Sequence, residues 1–482
     1  MNRPRLAGRG ARSARAIFAL GAAALLLGMA AKAALDVSWA WDVWYYHLPF
    51  AGRIWGVLPA SAYILTPLDE ARYQGYPLLA EALQGLAWKI SGRPEAANFI
   101  AFFALLSLVA YARLRLGAPW YLTTLALLAV PLVQIHATSC YIDLPANAAL
   151  ALVVLEAMRA TVSPPGRRAL AVVLAAAVLT GNMRLQLEPL VLAALAVIAF
   201  SVRRSRGKLA ALVLALPLVF ASPLKNLVVH HNPAYPVALH VAGHELPFAE
   251  EPYDSSPPYL EHTPRPWRWL VSLAEVGIQP LEESRRWTID QYMPPDSRGN
   301  RMGGFFGAYV AVNLLALALL AWRARRRPET RRLGRAAVSG VLVLSLACSL
   351  MPQSHELRYY LVWMLVLVLI NVGLVARLAA KADLRLELGA ALVASGFVAV
   401  VLASTRGWHV TPQRYPFEAL VRDHVDPAVL AGAAEGSTIC VARPPWTALY
   451  AAPFHPPRRY AVREVELPED CAPAGSPAPP PP

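Results

Sequence analysis

Long apolar runs, separated alternately by short basic connections and longer polar ones, set the pattern of this 482-residue chain. A helix crossing a bilayer needs roughly 20 apolar residues, and fewer where it ends in a protein-lined cavity. Such runs fall at residues 16–35, 96–114, 119–135, 144–158, 169–181, 189–202, 209–229, 305–322, 336–351, 359–375 and 386–404, which predicts eleven spans. The fifth and sixth are short and flank the segment from Gly181 to Glu188. One continuous helix there would bury Arg184 and Glu188 at mid-membrane, so a short hairpin with its tip in a hydrated cavity is predicted instead.

Positive charge orients the spans. Arg3, Arg5, Arg9, Arg12 and Arg15 precede the first one and place the N-terminus in the cytoplasm. Every second connection is then basic: Arg113 with Arg115, Arg159 with Arg167 and Arg168, residues 203–208, residues 323–335, and Arg377 with Lys381 and Arg385. This alternation predicts an extracytoplasmic C-terminus in a multi-pass inner (plasma) membrane protein. The first span also has signal-peptide character, with Ala31-Lys32-Ala33 as a candidate cleavage site, but is read as an uncleaved anchor.

Three segments are predicted outside. Residues 36–95 are rich in Trp and Tyr, and stretches 43–57 and 78–90 suit interfacial helices. Residues 230–304 are polar and proline-rich, with no strand pattern. Together with the spans these loops make one transmembrane unit, residues 1–404. Residues 405–470 form a small α/β unit, with candidate strands at 437–442 and 460–467. Cys440 and Cys471 flank the second half of that unit and are expected to bridge in an oxidising compartment. The proline-rich end, 471–482, is expected to be disordered.

Composition agrees with lipid as the main solvent: 56% of residues are apolar and 16% charged, against about a quarter charged in soluble proteins. The formal charge of +14 is accounted for by loop anchors, not a nucleic-acid surface. Phosphate-binding, dinucleotide-binding and soluble-hydrolase motifs are absent from the sequence. The chemistry, if any, then lies on the outer face, where Asp42 and Asp143 stand beside the bilayer surface. Either carboxyl can be tuned as a base by burial and neighbouring charge. Either can equally cap a helix N-terminus.

Several outer-face motifs add to this. Asp42-x-x-Tyr45-Tyr46-His47-Leu48-Pro49-x-Ala51 resembles the first-loop motif of bacterial GT-C glycosyltransferases, the superfamily of protein O-mannosyltransferases and the aminoarabinose transferase of lipid A. Tyr76-Pro77 with Glu81, Tyr141-Ile142-Asp143-Leu144-Pro145, Lys225-Asn226 with Asn232-Pro233-Ala234-Tyr235-Pro236, and Arg358-Tyr359 resemble further motifs of that superfamily, in the same order. The resemblance runs to about residue 375. Two departures stand out. Asp42 is followed by Val43, where the best-described members have Asp-Glu, and Lys225 replaces the commoner Arg. Asp69-Glu70 is the rival acidic pair, read as solvated loop acids.

The resemblance implies an all-α polytopic GT-C-like fold and transfer of a sugar from a polyprenyl-phosphate donor to a lipid, glycan or protein acceptor. Asp42 is then the base, with Asp143 as the second catalytic acid. Lys225, Arg184, Arg358 and His355 are the candidates for the donor phosphate, where leaving-group charge needs a cation. Tyr46, His47, Tyr76, Asn232 and Tyr235 are the candidates for substrate binding. No cofactor is assigned, and a divalent ion at Asp42 and Asp143 stays open. Two other classes also stay open: a transporter or flippase, and an inactive scaffold for glycan assembly.

Overall fold

The computed structural model describes residues 3–252, 260–274, 304–379, 384–465 and 471. Among these, seven helices are long and apolar enough to cross a membrane: Arg12–Leu35, Pro94–Leu116, Leu185–Val202, Gly307–Arg325, Pro328–Leu350, Leu361–Ala379 and Leu384–Ser404. The pair Arg206–Val219 and Ala221–His230, bent by 52°, counts as an eighth if it is one span. The prediction of eleven differs at three places. Residues 119–135 break into Trp120–Leu128 and Pro131–His136, with Pro131 unable to donate across the junction. Asp143–Ala160 carries Asp143, Asn147, Glu156 and Arg159, too polar for a lipid-facing run. Arg167–Gly181 has only 15 residues.

The first two of these places are sheltered by protein, whereas Arg167–Gly181 keeps Val172 and Leu179 exposed. Asp143–Ala160 is buried along nearly its whole length, and so is its neighbour Leu361–Ala379. Asn147 joins the two, donating to Arg358 O at 3.3 Å and accepting from Val362 N at 2.9 Å. The helices Arg167–Gly181 and Glu188–Val202 form the expected hairpin. Lys208 Nζ donates to Pro165 O at 2.6 Å, so the connection after the hairpin returns to the end where it began. Gly181 permits the helix Arg206–Val219 to pack closely, because a Cβ there would meet Val219 O at 2.2 Å.

The basic connections gather at one end of the bundle. Arg159 Nη1 donates to Arg115 O at 3.0 Å, and Arg327 Nη1 donates to Leu378 O at 3.1 Å. At the same end Arg15 and Tyr121 both hold Glu387, the arginine with contacts of 2.8 and 2.7 Å.

At the opposite end the first polar loop folds into helices. Val43–His47 and Leu48–Ile54 run together, and Leu79–Ser91 packs on them, close to the expected interfacial stretches. A further helix, Pro67–Gly75, is capped by Thr66, whose Oγ1 accepts from Asp69 N. The second loop differs from expectation. It contains a short antiparallel hairpin, His240–Val241 with His244–Glu245, and a helix, Arg265–Ala274.

The segment after Ser404 returns over the first loop. Strand Thr438–Val441 pairs in parallel with Ala461–Glu464, near the predicted positions. Ala461–Glu464 also pairs in parallel with Tyr63–Ile64 of the first loop, making a three-stranded sheet shared by two distant segments. Asp36 accepts from Gln413 N and Tyr415 N, and Trp44 stacks on Phe417 with centroids 5.5 Å apart. Cys440 and Cys471 form the expected disulfide. The proline-rich end lies outside the described residues.

Candidate active site

Asp42 precedes the helical turn Val43–His47 without capping it. Its Oδ2 instead accepts from Arg358 Nη1 at 3.0 Å. Asp143 is the first residue of its helix, after the N-cap Ile142; Oδ1 takes Arg184 Nη1 at 2.5 Å, and Oδ2 lies 3.8 Å from His136 Nδ1. Each of the two acids therefore meets one of the arginines expected at the donor phosphate.

The two pairs converge on Tyr359. Its ring lies 4.2 Å from the Arg184 guanidinium and 5.0 Å from that of Arg358. Arg358 Nη2 also donates to the Tyr359 hydroxyl at 3.2 Å. Such stacking suits guanidinium, whose planar, weakly hydrated face tolerates an aromatic neighbour. Tyr46 belongs to the same group; burial, with Asp42's charge second, pushes its phenol well above the ordinary range. The phenol is thereby kept as a proton donor.

The acids are not equivalent. The Asp143 side chain is 1% exposed and that of Asp42 17%. Asp143 is thus fixed in a low-dielectric setting that only its cation makes tolerable. Asp42 remains reachable. Next to them, Glu356 Oε2 lies 3.6 Å from Arg358 Nε. Burial pushes the Glu356 carboxyl up to about 7, with Arg358 pulling the other way. When Glu356 is protonated, two aspartates balance two arginines.

That coupling gives a pH prediction. A folded-state pKa above the unfolded one means that the folded protein holds the extra proton, so stability falls as pH rises from about 4.5 toward 7. The melting temperature of Glu356→Gln, minus that of the natural protein, should grow across this window. A flat difference would show that Glu356 ionises as it does in water.

His47 is buried, with Nδ1 2.7 Å from Glu81 Oε1, and its ring meets Tyr141 edge-on at 5.8 Å. It faces no headgroups. His355 is fully buried three residues before Arg358. The other candidates form a neighbouring layer. Lys225 Nζ donates to Gln74 O, and Asn226 Nδ2 donates to Gly75 O and Tyr235 O at 2.7 and 2.9 Å. Tyr76 donates to Glu250 at 2.6 Å, and Tyr235 stacks on His230. Asn232 braces its own turn through Val237 O and Pro247 O.

Of the rival acids, Asp69 is placed differently from its reading as solvated. Asp69 is fully buried, accepting from Thr66 Oγ1 at 2.7 Å and Arg72 Nη1 at 3.0 Å. Glu70, partly exposed, pairs with Arg53 at 2.8 Å. Both have structural partners. The Asp42 and Asp143 carboxylates each bind a guanidinium. Among the described residues no group of three or more His, Cys, Asp or Glu side chains could hold a metal.

Glu356, His136, Tyr141 and Tyr359 received no role from sequence. Tyr141 and Tyr359 belong to motifs already quoted, but His136 sits at the end of an apolar run with nothing to mark it.

No family model matches the sequence, and no curated protein matches it. Among solved structures, ArnT from Cupriavidus metallidurans in the apo state is similar at TM-score 0.52 and 13% identity, over 94% of this chain and 90% of that one. The same protein bound to undecaprenyl phosphate is similar at TM-score 0.52 and 12% identity, over 92% and 85%. Likeness at that identity concerns the fold alone: this chain, with its seven helices long and apolar enough to cross a membrane among the described residues, folds like ArnT.

Proposed function

We propose that the chain is an extracytoplasmic, inverting GT-C glycosyltransferase of the inner membrane that uses a polyprenyl-phosphate-linked sugar. The observation that carries this reading is the convergence of the pairs Asp42–Arg358 and Asp143–Arg184 on Tyr359. A reachable carboxylate beside two guanidinia supplies a base and an anion site in one place. The fold shared with a protein that binds undecaprenyl phosphate supports the donor class.

In the proposed reaction Asp42 accepts the proton of an acceptor hydroxyl as its oxygen bonds to the anomeric carbon. The bond from that carbon to the phosphate oxygen breaks, and polyprenyl phosphate leaves with the electron pair. Arg358 and Arg184 meet the growing charge on that phosphate. As Arg358 turns toward phosphate, Asp42 is released to act as base. Asp143, with its helix packed all round, holds Arg184 in place. Tyr46 and His47 are assigned to the sugar, and Tyr76, Asn232 and Tyr235 shape the layer through which the donor enters. His355 supports the loop carrying Arg358. The test is incubation of lipid-embedded protein with a panel of polyprenyl-phosphate sugars, scoring release of polyprenyl phosphate. A transporter or scaffold releases none.

Lys225 is proposed as an outer contact for the donor phosphate. A lysine near hydrocarbon needs a partner, and a backbone carbonyl answers only part of its charge. Lys225→Ala should weaken donor use by about tenfold, and Lys225→Arg should keep most of it. Equal donor use in Lys225→Ala would assign it to snorkelling instead.

The proposed orientation puts Asp42 outside and the basic end in the cytoplasm, with eleven membrane-embedded segments. Reporters fused after Arg206 and after Glu329 should report one side, and a reporter after Gly243 the other. Any other grouping overturns the topology.

A further inference from the structure

A cavity of about 820 Å³ opens at the basic end of the bundle, between Asp143–Ala160, Arg331–Leu350 and Leu361–Ala379. It lies far from the acids just described. Glu156 lines it, and Glu156 and Asp143 stand 13 residues apart on one helix, roughly 20 Å by helical rise. We infer that this cavity binds an anionic phospholipid of the adjoining leaflet, with the headgroup phosphate among its arginines and the upper acyl chain along its apolar wall.

The lining has two parts. Leu155, Met158, Leu333, Leu369, Ile370 and Leu374 make an apolar wall. Arg115, Arg159, Arg327 and Arg377 stand at the polar side, against only Glu156 and Glu329. Glu156 is buried and already engaged: Arg115 bonds both its oxygens at 3.1 Å and Tyr111 donates to it at 2.9 Å. That leaves an excess of positive charge, carried mostly by Arg327 and Arg377, which are exposed. The four arginines come from four places far apart in the chain, which the fold brings to one mouth.

Size and chemistry select the occupant. A free phosphate would leave most of 820 Å³ empty, facing leucines. An uncharged lipid would leave the arginines unanswered. A basic pocket between membrane helices, at the depth of the loop anchors, meets both needs with an anionic headgroup and its chain.

The test uses full-length protein, delipidated in a neutral detergent. Phosphatidylglycerol, phosphatidylcholine and inorganic phosphate are added separately, and bound lipid is counted by native mass spectrometry. Phosphatidylglycerol is expected to bind about tenfold or more in preference to phosphatidylcholine. Millimolar inorganic phosphate should not displace it. The double variant Arg327→Gln with Arg377→Gln should lose the preference, and Arg327→Lys with Arg377→Lys should retain it. Both sites are exposed, so folding should survive, and an unchanged melting temperature checks this. Equal binding of the two lipids, or a preference undiminished in the glutamine variant, overturns the inference. Displacement of the lipid by inorganic phosphate also overturns it, in favour of a free anion.

Discussion

Asp42→Asn is expected to lower sugar transfer by at least about a hundredfold, the scale of losing a positioned general base. The amide keeps the shape of the carboxylate and can still accept from Arg358 Nη1, which now lies 3.0 Å from Oδ2. What it loses is the capacity to take a proton. Arg358 is buried, but it keeps the amide oxygen as acceptor and Glu356 Oε2 at 3.6 Å, so expression and most of the melting temperature should be preserved. Donor binding should be kept or even tightened, because Arg358 is no longer shared with an anion. The diagnostic pattern is therefore a fall in kcat with KM for the donor unchanged or lower. Asp69→Asn separates the two acidic positions. Buried between Thr66 and Arg72, Asp69 should cost stability when replaced, with turnover of the surviving protein largely intact. Full transfer in Asp42→Asn, with loss in Asp69→Asn, would move the base to the rival pair.

Much of this architecture is written in features that act locally. Loop cations mark one end of the bundle because lipid penalises them elsewhere, and the basic connections do meet there through Arg159, Lys208 and Arg327. The short hairpin after Arg167 was legible for the same reason: Arg184 and Glu188 forbid one long helix. The helix Asp143–Ala160 shows where this reasoning stops. Its apolar run looks like a lipid-facing span, yet its polar residues are satisfied by other helices, which a single chain segment does not reveal. The shared sheet is another case. Tyr63–Ile64 is too short to carry a strand pattern and is a strand only because Ala461–Glu464 lies beside it. In the candidate site, motif order singled out Asp42, Asp143 and Arg358, and the charged segment between two short apolar runs singled out Arg184, but their partnership is a tertiary fact. Sequence offered capping as an alternative for both acids; the structure instead gives each an arginine partner, 41 and 316 residues away. Glu356 escaped notice because its significance is its burial beside Arg358, not its neighbours in the chain.

Arg184→Ala should have the largest effect on stability, and it distinguishes a positioned anion site from a helix-end arginine that merely snorkels. Asp143 is 1% exposed and Arg184 is its close partner. Removing one member of a buried pair leaves an uncompensated charge, which typically costs about 3–5 kcal/mol. His136, 3.8 Å from the other carboxylate oxygen, can offset part of that only by taking a proton inside a fully buried pocket. The melting temperature in detergent should therefore drop clearly, and any surviving protein should bind donor poorly because half of the guanidinium pair over Tyr359 has gone. The double variant Asp143→Asn with Arg184→Gln provides the control. It removes both charges and leaves groups able to hydrogen-bond each other, so most of the lost stability should return. Donor binding should not return, since an amide carries no charge for phosphate. A snorkelling arginine predicts the reverse on every count: a small loss in Arg184→Ala, no recovery in the double variant, and unchanged donor binding. Observing that set would detach Arg184 from the site and leave Arg358 as the sole guanidinium proposed for the phosphate.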